Sequence, residues 1–496
     1  MREIIKRQME LGEVDIGAIE ISTKSRDDIP RLLRGLQYIY TTDEVRERVF
    51  EILAEVVPQR ADGEGAVSTE TGRPGMSQWQ ILVLGVLRLG LNADYDRIHE
   101  LSNEHKTLRQ MLGHSGWADG EEDRYGLQTI KDNLRLFTPE ILDRINQEVV
   151  RAGHALVKKS PDAALQVRAD SFVVETNVHY PTDLNLLWDA LRTLIGLVAG
   201  LCEELGILGW RQSAYRLRQL KKLYRQVQRL KHSTSQDPQK RAAKQEAVQG
   251  AHRAYLEAAE ALLARVRETR VHLLVCAVPE AILAQIDLYL GDAERQIDQI
   301  RRRVLLGQTI PHGEKLFSIF QRHTEWIVKG KAGVPVELGL RVAVVEDQHR
   351  FILTHQVLEQ TTDDQVAVAL MQQAQARFPD IASASFDKGF HSPANQTALA
   401  ALIAQVVMPK KGTLSEAQRA REAAPDFGRL RRQHAAVESA INALEVHGLD
   451  RCLDHGLDGF KRYVALAVVA RNIQRLGALL RQQEAERQRG PYRRAA

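Results

Sequence analysis

Three acids in separated stretches have the types and settings that do chemistry. Asp170 lies inside LQVRADSFVVET, residues 165–176, where Val167, Phe172, Val173 and Val174 favour a buried pleat. Apolar side chains point both ways there, as on a central strand covered on both faces. A lone carboxylate is costly to desolvate in that position, so a cation is expected to answer it. SFDKGFHSPAN at 385–395 brings Asp387, and RRQHAAVESAINALE at 431–445 brings Glu438. Carboxylates converging from separate elements suit hard divalent cations, which prefer oxygen ligands and keep sites for water and phosphate. Two such ions about 4 Å apart activate an attacking oxygen and stabilise a leaving one in an in-line phosphoryl displacement. No covalent nucleophile from the protein is then needed, and the ions offset repulsion among the acids. Spacing alone leaves Glu175, Asp183, Glu325 and Asp363 as rival acids.

The elements that must position these groups read as follows. Residues 28–40 and 42–57 form two short helices, with a capping pattern at Thr41 and Glu44. A Gly-rich polar linker follows at 58–75, then a helix capped by Ser77 and Gln80 and another opening at Thr138-Pro139-Glu140. The first 151 residues are thus helical, and the basic residues of 96–113 and 124–137 make them either a DNA-binding domain or a packing domain with solvated faces. Residues 336–346 and 351–358 alternate as a hairpin around Asp347-Gln348-His349-Arg350. Thr362 and Gln365 cap a helix over 363–378; strands follow at 382–386 and 402–408, then a helix through Glu438. The strand–helix–strand crossover from 351–358 to 382–386 is expected to be parallel and right-handed. The fold class is therefore α/β, a mixed sheet with flanking helices, in which active groups gather at strand ends.

Between the first strand and the hairpin runs a long helical insertion, 201–309, with Asp183 as a helix cap before it. Between Arg211 and Arg253 twelve basic residues face two acids, so one helix face is strongly positive. Lys221, Lys222 and Arg225 lie on it and suit phosphate-backbone contact, with a solvated hairpin as the alternative. The second half of the insertion is an antiparallel partner or a dimer surface. The catalytic domain takes 152–200 and 310–480, and 481–496 is a polar basic tail.

A net charge of +4 excludes a uniformly basic protein, so any nucleic-acid surface must be local. Cys202, Cys276 and Cys452 are too scattered for a metal site and fit a reducing compartment. The start carries no apolar signal core, and apolar runs such as 80–91 are too short to span a bilayer. A cytoplasmic protein is expected.

The chain resembles DDE-type insertion-sequence transposases, specifically the ISNCY group. The stretches that carry the resemblance are GRPGMSQWQILVLGVLRLGL, RYGLQTIKDNL, ADSFVVETNVHYPTDLNLLWDALR, HTEWIVKGKAGVPVELGLRVAVVEDQ, FDKGFHSPANQ and HAAVESAINALEVHGLDRC. The resemblance implies an RNase H-like catalytic domain with Asp170, Asp387 and Glu438 as its acids. It also implies Mg²⁺ or Mn²⁺ (two ions), terminal inverted repeats and target DNA as partners, and a homo-oligomer on DNA. Strand cleavage at element ends and strand transfer would follow; a nuclease without strand transfer and an inactive repeat-binding relative are the alternatives. Many relatives carry Tyr and Arg before the Glu and Lys after it, where this chain has Arg431, His434 and Glu445. Contacts to the DNA end are therefore sought at Lys329, Lys331, Lys388, His391, Arg432 and His434, with His434 also a candidate metal ligand.

Overall fold

A computed structural model describes residues 3–5, 13–56, 75–115, 124–158, 160, 163–230, 234–328 and 335–488. Chain contacts divide it into two compact units, 1–177 with 325–496, and 178–324. The helix Asp183–Glu204, assigned from sequence to the catalytic part, belongs to the second unit.

In the first unit the strands are β1 (Leu165–Thr176), β2 (Glu325–Val328), β3 (Val336–Asp347), β4 (Ile352–Leu358), β5 (Ile381–Phe386), β6 (Gln405–Val407) and β7 (Arg451–Cys452). β3 lies antiparallel to β1 and carries β2 and β4 on its far side, while β5 lies parallel to β1 and β6 parallel to β5. This is the RNase H-like arrangement, a mixed sheet with flanking helices. β4 and β5 run in the same direction, as the crossover requires, but β3 and β1 stand between them. The strand expected over 402–408 is shorter, because the helix Pro393–Leu402 uses its first residue.

The sheet is buried on both sides, as the apolar content of β1 implies. Leu165, Val167 and Ala169 face one core with Val366, Leu370 and Met371 of the helix Asp363–Arg377. Phe172 and Val174 face the other, with Leu444, Phe460 and Val464. The amino-terminal helices join this second core around Gly456–Gln488, a helix that takes in residues 481–488 of the expected tail; 489–496 lie outside the described residues.

Among the described residues, two helices are long and apolar enough to cross a membrane by length and composition, Asp183–Glu204 and Gly456–Gln488. In Gly456–Gln488 the apolar window is 78% buried, so the core accounts for its composition.

Gly456–Gln488 crosses Ile29–Thr41 very closely. A Cβ on Gly477 would stand 1.9 Å from the Arg31 carbonyl oxygen, and one on Gly35 would stand 2.3 Å from that of Ile473. Glycine normally costs a helix about 1 kcal/mol against alanine. Here the backbone clash reverses the sign. Gly477→Ala is expected to destabilise the protein by about 2–3 kcal/mol in urea unfolding, and a stabilised variant would show that the crossing is not rigid.

Several caps shift by a residue. Ser77–Gln80 and Thr362–Gln365 form the expected capping boxes, and Thr138 caps Pro139–Val157. Thr42, not Thr41, precedes the helix Asp43–Ala54 and makes no side-chain cap. Thr182, not Asp183, caps Asp183–Glu204; Asp183 instead pairs with Arg303. The linker at 58–74 lies outside the described residues.

The second unit is a helical bundle of Asp183–Glu204, Ser213–Arg229, Pro238–Val275 and Glu280–Ile300. Leu283, Ile286, Leu290 and Ile297 bury against Leu187, Leu191 and Leu194, so Glu280–Ile300 is an antiparallel partner within the chain.

Candidate active site

Register brings the first two acids together. Arg168 pairs with Ser385 and Ala169 with Phe386 across the parallel β1–β5 ladder, so Asp387 comes abreast of Asp170. Alternation of side chains then puts Arg168, Asp170, Ser385 and Asp387 on one sheet face. The helix Ala436–Leu444 joins the core on that face through Leu444, buries Val437 and Ala440 as well, and leaves Glu438 exposed.

Asp170 is half-buried, and its Oδ1 accepts from the Ser171 amide at 2.7 Å. Burial pushes its carboxyl up to about 7, and Asp387, Asp363 and Glu438 push in the same direction. The cation expected to answer Asp170 is not found among the groups that act most on it. The nearby Arg168 instead pairs with buried Glu346 at 3.0 Å. Asp387 is exposed just past β5, where its Oδ2 accepts from the Gly389 amide at 3.4 Å.

Asp363, one of the rival acids, joins the group from the opposite side of the sheet. It opens the helix Asp363–Arg377, one residue after the capping Thr362, so its carboxylate is not used as the cap. Its Oδ1 is buried with no hydrogen-bond partner. A Cβ on Gly389 would stand 2.9 Å from Asp363 Oδ2, so the glycine of FDKGF gives that carboxylate room beside Asp387. The other rivals are engaged elsewhere: Glu175 pairs with Arg451 at 2.9 Å, and Glu325 accepts from the Gln360 amide at 2.6 Å.

Among the described residues, no three His, Cys, Asp or Glu side chains stand close enough to enclose an ion. The donor chemistry nevertheless fits a hard divalent cation: oxygen donors only, mutually repelling, with one buried oxygen unpaired.

The basic candidates divide. Lys388 and Arg432 are exposed, and His391 is half-buried. His434 is half-buried, its Nδ1 lies 3.1 Å from Ser385 Oγ, and burial lowers its pKa, which opposes the charge a phosphate contact needs. Lys329 and Lys331 lie outside the described residues. In the second unit, Lys221, Lys222 and Arg225 are all exposed on Ser213–Arg229 and enter no ion pair with the described residues, while Leu220 and Val227 are buried. Sequence reasoning gave no part to Ser385; its position two residues before Asp387, on the same face, was the available signal.

The chain thus presents an RNase H-like sheet with acids gathered beside its parallel strands. Residues 307–473, a third of the chain, match the family model of the transposase DDE domain, which supports a DDE transposase family and a transposase function. The match takes in Asp387 and Glu438 and begins well after Asp170. No curated protein and no solved structure matches the chain.

Proposed function

We propose that this chain is a transposase of the ISNCY insertion-sequence group that cleaves DNA at the ends of its element and joins the freed end to target DNA. The observation that carries the reading is the facing of Asp170, Asp387 and Glu438 on one side of an RNase H-like sheet. Asp170, Asp387 and Glu438, with Asp363 beside them, would hold Mg²⁺ or Mn²⁺. Two such ions supply activation of the attacking oxygen and charge stabilisation at phosphorus. The protein's part is to hold the carboxylates on stiff elements and keep Asp170 out of bulk water. Lys388, exposed next to Asp387, meets the phosphate backbone at the reacting end. The partners are terminal inverted repeats and target DNA, with more than one copy of the chain assembled on them, in the cytoplasm at the nucleoid.

The test is cleavage and joining of a labelled duplex carrying the DNA that flanks the reading frame, with Mn²⁺ or Mg²⁺. Cut and joined products are expected; cutting without joining would make the protein a nuclease. Asp363→Asn is expected to slow cleavage by about tenfold, less than loss of any of the three principal acids. An unchanged rate would remove Asp363 from the site.

The bare positive face of Ser213–Arg229 gives the second unit its role in this reading. Replacing Lys221, Lys222 and Arg225 by Gln is expected to flatten the dependence of log K on log salt by about 2–3 units. An unchanged slope would take that helix off the DNA. Such contacts hold DNA without reading its sequence.

A further inference from the structure

The helix that carries Glu438 follows the one before it across a single residue. Pro425–His434 ends, Ala435 intervenes, and Ala436–Leu444 begins. The first helix is anchored by Phe427 and Leu430 on Val407 of β6. Ala435 keeps right-handed helical backbone angles, φ −55° and ψ −19°, so His434 stands about one helical turn before Glu438.

His434 is the last residue of the first of these helices. Its Nδ1 lies 3.1 Å from Ser385 Oγ, and Ser385 Oγ lies 3.4 Å from the Val167 carbonyl oxygen. Ser385 is only 4% exposed. With the hydroxyl hydrogen on the Val167 carbonyl, the Nδ1–H of the ring donates to Ser385 Oγ. One polar line thus joins β1 three residues before Asp170, β5 two residues before Asp387, and the helical residue four positions before Glu438. A half-buried ring bonded inward is poorly disposed to meet a DNA backbone, whereas exposed Arg432 and Lys388 are free to do so.

We propose that His434 is a positioning residue: through Ser385 it sets Glu438 against Asp170 and Asp387, rather than contacting DNA. This rests on the reading of those three acids as the ion-holding site. A partner one bond removed from the ligands commonly changes metal affinity by tenfold or more without touching the metal.

The test uses the full chain and Mn²⁺ alone, with free ion followed by electron paramagnetic resonance. His434→Ala and Ser385→Ala are each expected to weaken Mn²⁺ binding by about tenfold. The double variant should be no weaker than either, because both remove the same tie. His434→Asn, whose amide occupies the place of Nδ1–H, should recover most of the affinity. Binding to the flanking-DNA duplex with Ca²⁺ in place of Mn²⁺ should change less than about twofold, with the same salt slope. Unchanged Mn²⁺ affinity in His434→Ala overturns the proposal, and so does a loss of duplex affinity with a salt slope smaller by about one. A chain that binds Mn²⁺ through Asp170 but never cuts DNA would defeat the transposase reading and leave this one to be decided by the titration. Equal Mn²⁺ binding by the unaltered chain and Asp170→Asn would defeat both.

Discussion

Asp170→Asn should abolish strand cleavage and, at the same time, make the protein more stable at alkaline pH. The catalytic loss is expected to be about 10³-fold or more, since an acid that holds the ions supports several kcal/mol of transition-state stabilisation. The gain in stability follows from the same position. Burial and three neighbouring acids raise the Asp170 carboxyl to about 7. A group raised above its unfolded value contributes fully below that value, about 4 for Asp, and its contribution is lost as pH climbs towards about 7. The unaltered protein therefore pays for ionised Asp170 at pH 8, and the neutral amide does not. Asp170→Asn should match it near pH 4 and exceed it by about 1–3 kcal/mol at pH 8 in urea unfolding without divalent ions. Asp387→Asn and Glu438→Gln should lose cleavage alike. Each of those carboxylates helps to raise Asp170, so each variant should show an alkaline gain smaller than that of Asp170→Asn. Added Mn²⁺ should stabilise the unaltered chain and leave Asp170→Asn unmoved. Normal cleavage by Asp170→Asn would remove that residue from the site, and equal stability at both pH values would show that it is not strained.

The pattern of apolar residues told much about this site, because the strongest constraint on it is burial. A stretch as apolar as 165–176 can only be central, and an acid within it stands out. Alternation gave β3 and β4 almost to the residue. What the pattern lacked was lateral information. Parallel direction for β4 and β5 followed from the crossover, but nothing in 351–358 says that β3 and β1 lie between them. Asp363 was visible only as an acid near a helix start, where the helix dipole already explains it; its approach to Gly389 depends on a strand–helix packing that spacing does not encode. His434 misled for a related reason. Helical spacing puts it beside Glu438, but only the packing of that helix on β5 shows that its ring meets Ser385. The helix Asp183–Glu204 was assigned to the wrong side of a boundary because its apolar stripe suits either partner, and only packing against Glu280–Ile300 chooses. The caps at Thr42 and Thr182 differ by one residue from the expected ones because adjacent polar residues compete for one role.

Removing the carboxylate of Asp454 should be among the most damaging changes outside the site. Arg88 is 3% exposed in the helix Gln78–Gly90, and its Nη2 lies 2.8 Å from Asp454 Oδ1. Asp454 also meets Arg462 through Oδ2 at 3.3 Å. The Arg88 guanidinium stands 4.0 Å over the Tyr95 ring and 5.2 Å from that of Tyr463, which shields it further from water. The pair ties the amino-terminal helices to the segment just after β7, whose residues pair with the end of β1. Formed in full, such a pair adds little over an apolar replacement, because desolvation offsets the Coulomb attraction. Broken on one side, it leaves a buried guanidinium with no counter-charge. Asp454→Ala is therefore expected to cost about 3–5 kcal/mol in urea unfolding at pH 7. Arg88→Met in the same chain should restore most of that loss, since it removes the stranded charge and keeps the volume. A double variant as unstable as Asp454→Ala would show that the carboxylate serves Arg462 and the chain turn rather than Arg88. Recovery would show that the amino-terminal helices depend on this one buried charge being answered.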